Sequence, residues 1–236
     1  MGSDRQNLFK KDRARRKKRE EEIRSHREVT WLLLSEGGTE VNYFNELVNY
    51  LNSVGTQKIK LDAHGLGHSP KGVVDKTEHF FGVFDKLCKK KRIPYAKIIF
   101  AFDKDSFDDF NDAIFSANKR YPDCIVAWSN ECFELWLRLH FEDANTGQNR
   151  WQHYDKMTKI FRSKGIFSKD QNYKDHGKSL PNILETINKC GGSYEKAIHR
   201  AKNLLNEVDL KNPANANPAT MVFEAVEAII AESQSS

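Results

Sequence analysis

The chain has 236 residues, is 39% hydrophobic and 30% charged, and carries a formal net charge of +5. That length suits one domain, or a domain with an extension, and the apolar content is enough for a sizeable core. No apolar run approaches a membrane span or a signal-peptide core, and Cys88, Cys124, Cys132 and Cys190 form no Cys-x-x-Cys pair, which argues against a zinc or disulfide framework and for a reducing cytoplasm.

Residues 1–28 form a basic N-terminal arm. From Arg5 to Arg19 nine basic side chains face one acid, Asp12, so the rest of the chain is slightly acidic. Such a block is either a solvated, charged helix or a phosphate-contacting arm. On the second reading Arg13, Arg15, Arg16, Lys17 and Lys18 bind nucleic acid.

The apolar run Thr30–Leu34 then stops at Ser35-Glu36-Gly37-Gly38-Thr39-Glu40. A buried strand ends there, turns at two glycines and feeds a helix over 39–53, with Thr39 in position to cap it. Val41, Phe44, Leu47, Val48 and Leu51 repeat at helical spacing and read as core. Glu36 is thereby placed at the carboxyl end of a strand, where open α/β sheets bind their ligands. Glu40 either reaches the same site or simply sits in the first turn, where the helix dipole favours an acid.

A second strand, about 58–63, leads to His64-Gly65-Leu66-Gly67-His68-Ser69-Pro70. Ser69 reads as a helix cap, with Pro70 at the first helical position, and the free N–H groups there suit phosphate. The glycine spacing is wrong for a dinucleotide fingerprint, and His64 and His68 lie on a loop rather than a helix face. The helix that follows is expected to present Val73, Val74, His79, Phe80, Phe84 and Leu87 before the basic stretch 89–92.

A third strand, 97–102, ends in Asp103-Lys104-Asp105. If the chain stays extended, Asp103 and Asp105 share a face. A helix over 108–119 and a fourth strand over 124–129 complete a strand–helix alternation that calls for a parallel sheet in the order 2-1-3-4. That order makes the first and third strands neighbours, so Glu36, Asp103 and Asp105 converge. A cluster of carboxylates repels itself without a cation, and hard oxygen ligands suit Mg2+ or Mn2+. The next segment, 130–141, is apolar nearly all round, with Trp136 in the core. Glu131 and Glu134 near its start are either a favourable helix-terminal charge or outer metal ligands or substrate positioners.

Beyond residue 141 the pattern is helical, with no further strand expected. Asn172–Ser179 contains Gly177-Lys178-Ser179, but position 172, where a phosphate loop has its first glycine, is Asn172, and no strand precedes it. The final helices are placed at 193–207 and 218–233, with Pro218 in the first turn of the last.

Glu36-Gly37-Gly38-Thr39-Glu40-Val41-Asn42-Tyr43-Phe44, Asp103-x-Asp105 and Trp128-Ser129-Asn130-Glu131-Cys132-Phe133-Glu134-Leu135-Trp136-Leu137, in that order, resemble the TOPRIM fold and, more closely, the RloB-like family of TOPRIM proteins found in phage-defence loci. The resemblance spans about residues 29 to 225. It implies an α/β fold: a TOPRIM-like four-stranded, mostly parallel sheet flanked by helices over 29–140, with a helical extension over 141–236. It also implies a nuclease using Mg2+ or Mn2+. Glu36, Asp103 and Asp105 would be catalytic and metal-binding, Glu40 a further ligand, and Lys178 (or Lys174) a phosphate stabiliser. Glu134 and Asn130 would form an outer shell, with Ser69 on the substrate.

The family is usually encoded beside an ABC-type ATPase. A defence effector cleaving RNA such as tRNA, or DNA, with an ATPase partner therefore follows as the expectation, and a homo-oligomer is compatible with it. The alternative is an inactive binding module that assembles with the ATPase or senses a ligand. Topoisomerase and primase activities would need gating, zinc or helicase modules for which the chain has no room.

Overall fold

A computed structural model describes residues 29–81, 95–144, 146–178, 180–206 and 208–235. The arm residues Arg13, Arg15, Arg16, Lys17 and Lys18 lie outside them, as do Phe84, Leu87 and the basic stretch 89–92. Strand β1 (Val29–Ser35) leads into helix α1 (Gly38–Val54), β2 (Ile59–Gly65), the short helix α2 (Pro70–Asp75) and a 3-10 turn. Then follow β3 (Lys97–Asp103), α3 (Phe110–Arg120), β4 (Ile125–Asn130) and α4 (Glu134–Leu139). The remainder contains α5 (Arg150–Ser163), a π-helical turn at Tyr173–Gly177, α6 (Ile183–Lys189), α7 (Tyr194–Leu205), β5 (Ala219–Thr220) and α8 (Val222–Ser233).

The sheet order is β2-β1-β3-β4-β5. The first four strands are parallel and in the expected order, with Leu33 opposite both Ala63 and Ile99. The sheet has five strands rather than four, because Ser129 and Asn130 at the end of β4 pair antiparallel with Thr220 and Ala219. Pro218 therefore precedes a strand and does not open the last helix, which begins at Val222. Two residues are too few to carry a period, so this strand exists only because the chain returns to the sheet. The Ser129 and Thr220 hydroxyls meet at 2.9 Å, and the Asn130 amide donates to the Pro213 and Ala214 carbonyls at 3.0 and 2.9 Å.

Alternation along β1 separates two cores. Trp31 and Leu33 face α1 and the C-terminal helices, while Leu32 and Leu34 join Val73, Phe100, Phe110 and Trp128 beneath α2 and α3. Trp136 is fully buried, as its all-apolar segment demands. Thr39 does not cap α1: the helix starts a residue earlier, with Gly37 as its N-cap and no side-chain cap bond. Ser69 does cap α2, its hydroxyl accepting the Gly72 N–H at 3.4 Å. No helix among the described residues is long and apolar enough to cross a membrane.

Candidate functional site

Glu36 sits where three strands meet. Its backbone N–H donates to the Ala101 carbonyl of β3 at 3.1 Å, and its carbonyl accepts the Gly67 N–H, just past β2, at 2.9 Å. Gly65 makes the junction possible, since a Cβ there would stand 2.9 Å from the Gly37 carbonyl oxygen. Between the parallel strands β1 and β3 the order of strand addition reverses, which opens a crevice at their carboxyl ends. A cavity of about 540 Å3 occupies it, lined by Glu36, Glu40, Ser69, Asp103, Glu134, Arg150 and Lys178 among others.

Four carboxylates thus share one cavity with two cations. Burial and the Asp105 charge raise the Glu36 pKa from 4.5 to about 7, with the Asp103 N–H, Arg150 and Lys178 offsetting part of the rise. Glu40 is also raised to about 7, first by burial and then by Glu134 and Glu36, against its own backbone N–H and Lys178. Asp103 stands well above its usual range for the same reasons: burial, then Glu40, Glu134 and Glu36. One oxygen of Glu36 and one of Glu40 are buried with no hydrogen-bond partner among the described residues. Gly37 admits the Glu40 carboxylate closely, since a Cβ at 37 would lie 3.1 Å from its Oε2.

Asp105 departs from the expected arrangement. Strand β3 ends at Asp103, and Asp105 has φ +41°, so the two aspartates are related by a turn and not by strand alternation. Both still face one guanidinium: Arg150 pairs directly with Asp105 and lies 3.9 Å from Asp103 Oδ2. Asp105 is absent from the cavity wall, and among the described residues no group of three or more His, Cys, Asp or Glu is gathered to hold an ion. The expected coordination set of Glu36, Asp103, Asp105 and Glu40 is therefore close in space but not assembled.

Asn130 is occupied in tying β4 to the Pro213 turn, while Glu134 lines the cavity. Ser69 also donates to Asp109 at 2.7 Å from its place on the wall. Lys178 reaches the cavity with its ammonium 5.0 Å from the Tyr154 ring centre, whereas Lys174 lies over Trp151. The glycine of Gly177-Lys178 has a packing reason: a Cβ there would come within 2.2 Å of the Tyr173 ring.

Arg150 is the site residue that sequence reasoning missed. Its helix start was readable, since Asn149 and Gln152 form a capping box. Its target lies some 45 residues back in the chain, and no local pattern encodes that meeting.

Donor chemistry and the two orphaned oxygens would suit a hard divalent cation, whose charge would hold Glu36 and Glu40 ionised. No curated protein and no solved structure significantly matches the chain. The family model described as RloB-like protein matches residues 31–229, and the chain belongs to the RloB-like family.

Proposed function

We propose that this protein is an Mg2+- or Mn2+-dependent phosphodiesterase of the TOPRIM kind, cleaving nucleic acid, RNA such as tRNA foremost, as a defence effector working with an ABC-type ATPase. The observation that carries the reading is the pair of buried, unpartnered carboxylate oxygens on Glu36 and Glu40 at the switch point of a parallel sheet. A cluster of like charges with incomplete bonding is costly to keep unless a ligand completes it. Glu36, Glu40 and Asp103 would hold the ion, with Asp105 joining once Arg150 releases it. When bound, the ion polarises a phosphate and lowers the pKa of a coordinated water.

The chain's own groups supply the rest. Arg150 and Lys178, which both line the cavity, orient a phosphate and stabilise the charge that grows on it. The uncapped N–H groups of α1 face the same cavity through Gly38 and Thr39 and favour an anion there.

A second reading has its own support. The Arg150–Asp105 pair and the unassembled ligand set also describe a non-catalytic module, regulated by its partner. Incubating the full chain with tRNA, single-stranded RNA and plasmid DNA in Mg2+ or Mn2+ separates the two. Cleavage that vanishes in Glu36→Gln and Asp103→Asn supports the nuclease; cleavage that persists in both sinks it.

A further inference from the structure

Of the four tryptophans, Trp31, Trp128 and Trp136 are buried, at 2%, 4% and 0% exposure. Trp151 is 56% exposed. Leaving an indole in water forfeits one of the largest burial gains a side chain offers, so its surroundings call for an explanation.

Trp151, Tyr154 and Lys174 do not line the acidic cavity, but their neighbours Arg150 and Lys178 do. Trp151 follows Arg150, which lines the cavity, in the first turn of α5. The indole stands edge-on to Tyr154 with ring centres 5.7 Å apart, and Tyr154 carries the Lys178 ammonium at 5.0 Å. Lys174 places its own ammonium 5.0 Å from the indole centre. The Asn149–Gln152 capping box fixes the turn that holds the ring. A rigid aromatic plane with a cation beside it, next to a site for phosphate, has the parts of a single-strand binding platform.

We infer that Trp151 is a stacking platform for an unpaired nucleobase, with Lys174 on that nucleotide's phosphate, and that it seats a neighbouring phosphodiester in the cavity. A paired base inside a duplex has both faces covered by its neighbours and cannot stack there, so the platform selects single-stranded nucleic acid. Lys174 serves both states: it covers the ring when the site is empty and meets a phosphate when it is filled. The inference rests on the nucleic-acid reading above, but its test needs no cleavage.

The experiment is intrinsic fluorescence of the full chain in EDTA, titrated with single-stranded oligoadenylate as RNA and as DNA, and with an adenine–thymine duplex closed by a loop at both ends, with anisotropy of labelled strands alongside. Both single strands are expected to quench the emission, and the duplex to leave it unchanged. Trp151→Ala is expected to bind the single strands about tenfold more weakly, the scale of one lost stack. Trp151→Phe is expected to keep most of the affinity while losing the quench. Binding by anisotropy with no quench, or unchanged affinity in Trp151→Ala, overturns the platform and leaves the nuclease reading standing. Equal quenching by the duplex overturns the selectivity, and no binding of any strand overturns the platform, while the nuclease reading is decided by the cleavage assay in metal.

Discussion

Helix α1 carries two glutamates in opposite circumstances. Glu46 accepts three backbone N–H groups, from Ile183 at 2.7 Å, Leu184 at 2.8 Å and Glu185 at 3.1 Å, and so caps the start of α6 from another helix. Burial raises its pKa, and those three donors offset the rise. Glu40, six residues earlier, is 5% exposed, has an oxygen with no partner, and faces other acids. The same side chain on the same helix is in one place a completed clamp and in the other an incomplete shell. Completed bonding fits a structural role; bonding left incomplete at a strand-end crevice is what the proposed ligand would complete.

The largest expected effect tests the incomplete end. Glu36→Gln and Asp103→Asn should each reduce cleavage on the order of a thousandfold, the scale of losing one strong electrostatic contact in a site. Circular dichroism should show the fold intact. A loss of only a few-fold would place both carboxylates outside the chemistry.

Ligand addition sharpens the contrast next. Mn2+ or Mg2+ at about a hundred times its Kd should stabilise the protein by about 2.7 kcal/mol. Thermal melting would show this as a rise in Tm for the wild type and for Glu46→Ala, but not for Glu36→Gln. An equal rise in all three would mean that the ion binds elsewhere.

Breaking the clamp comes third. Glu46→Ala strands three N–H groups at the start of α6 and should cost about 2 kcal/mol in urea unfolding. Cleavage should be unaffected at temperatures where the variant is folded. A cost below about 0.5 kcal/mol would show that packing alone holds α6 in place.

The smallest effect is in pH dependence. Glu40 in the folded chain binds a proton near pH 7 against 4.5 ordinarily, so its stabilisation is complete below 4.5 and lost as pH rises through 7. His140 runs the other way. Its Nδ1 donates to the Trp136 carbonyl at 3.0 Å and its Nε2 accepts from the Tyr43 hydroxyl at 3.1 Å, a neutral ring. Burial lowers its pKa from 6.5 to about 4, so its stabilisation is complete above 6.5 and lost as pH falls through 4. The two slopes oppose each other over the same window. Glu40→Gln removes only the first, so in metal-free buffer its stability should pull ahead of the wild type as pH rises from 4.5 to 7. Parallel curves would show that Glu40 is not held protonated.

Much of this was legible in the residues themselves. Apolar runs that end at Glu36 and Asp103, with helical stripes between them, determined the parallel strands and their order, because burial on both faces and right-handed crossovers leave few arrangements. Gly37 and Gly38 marked the turn below the cavity, and Ser69-Pro70 marked the start of α2, because these are local backbone requirements.

Only the tertiary structure decided the rest. β5 is two residues long and exists because Asn130 and Ser129 give the returning chain partners. Asp105 leaves the extended line because the strand stops before it, and Arg150 then takes its carboxylate. Glu46 and Glu40 look alike in the sequence, one apolar stripe apart. Their difference comes from α6 folding back onto one and not the other, a long-range contact set by packing of the whole chain rather than by any spacing within it.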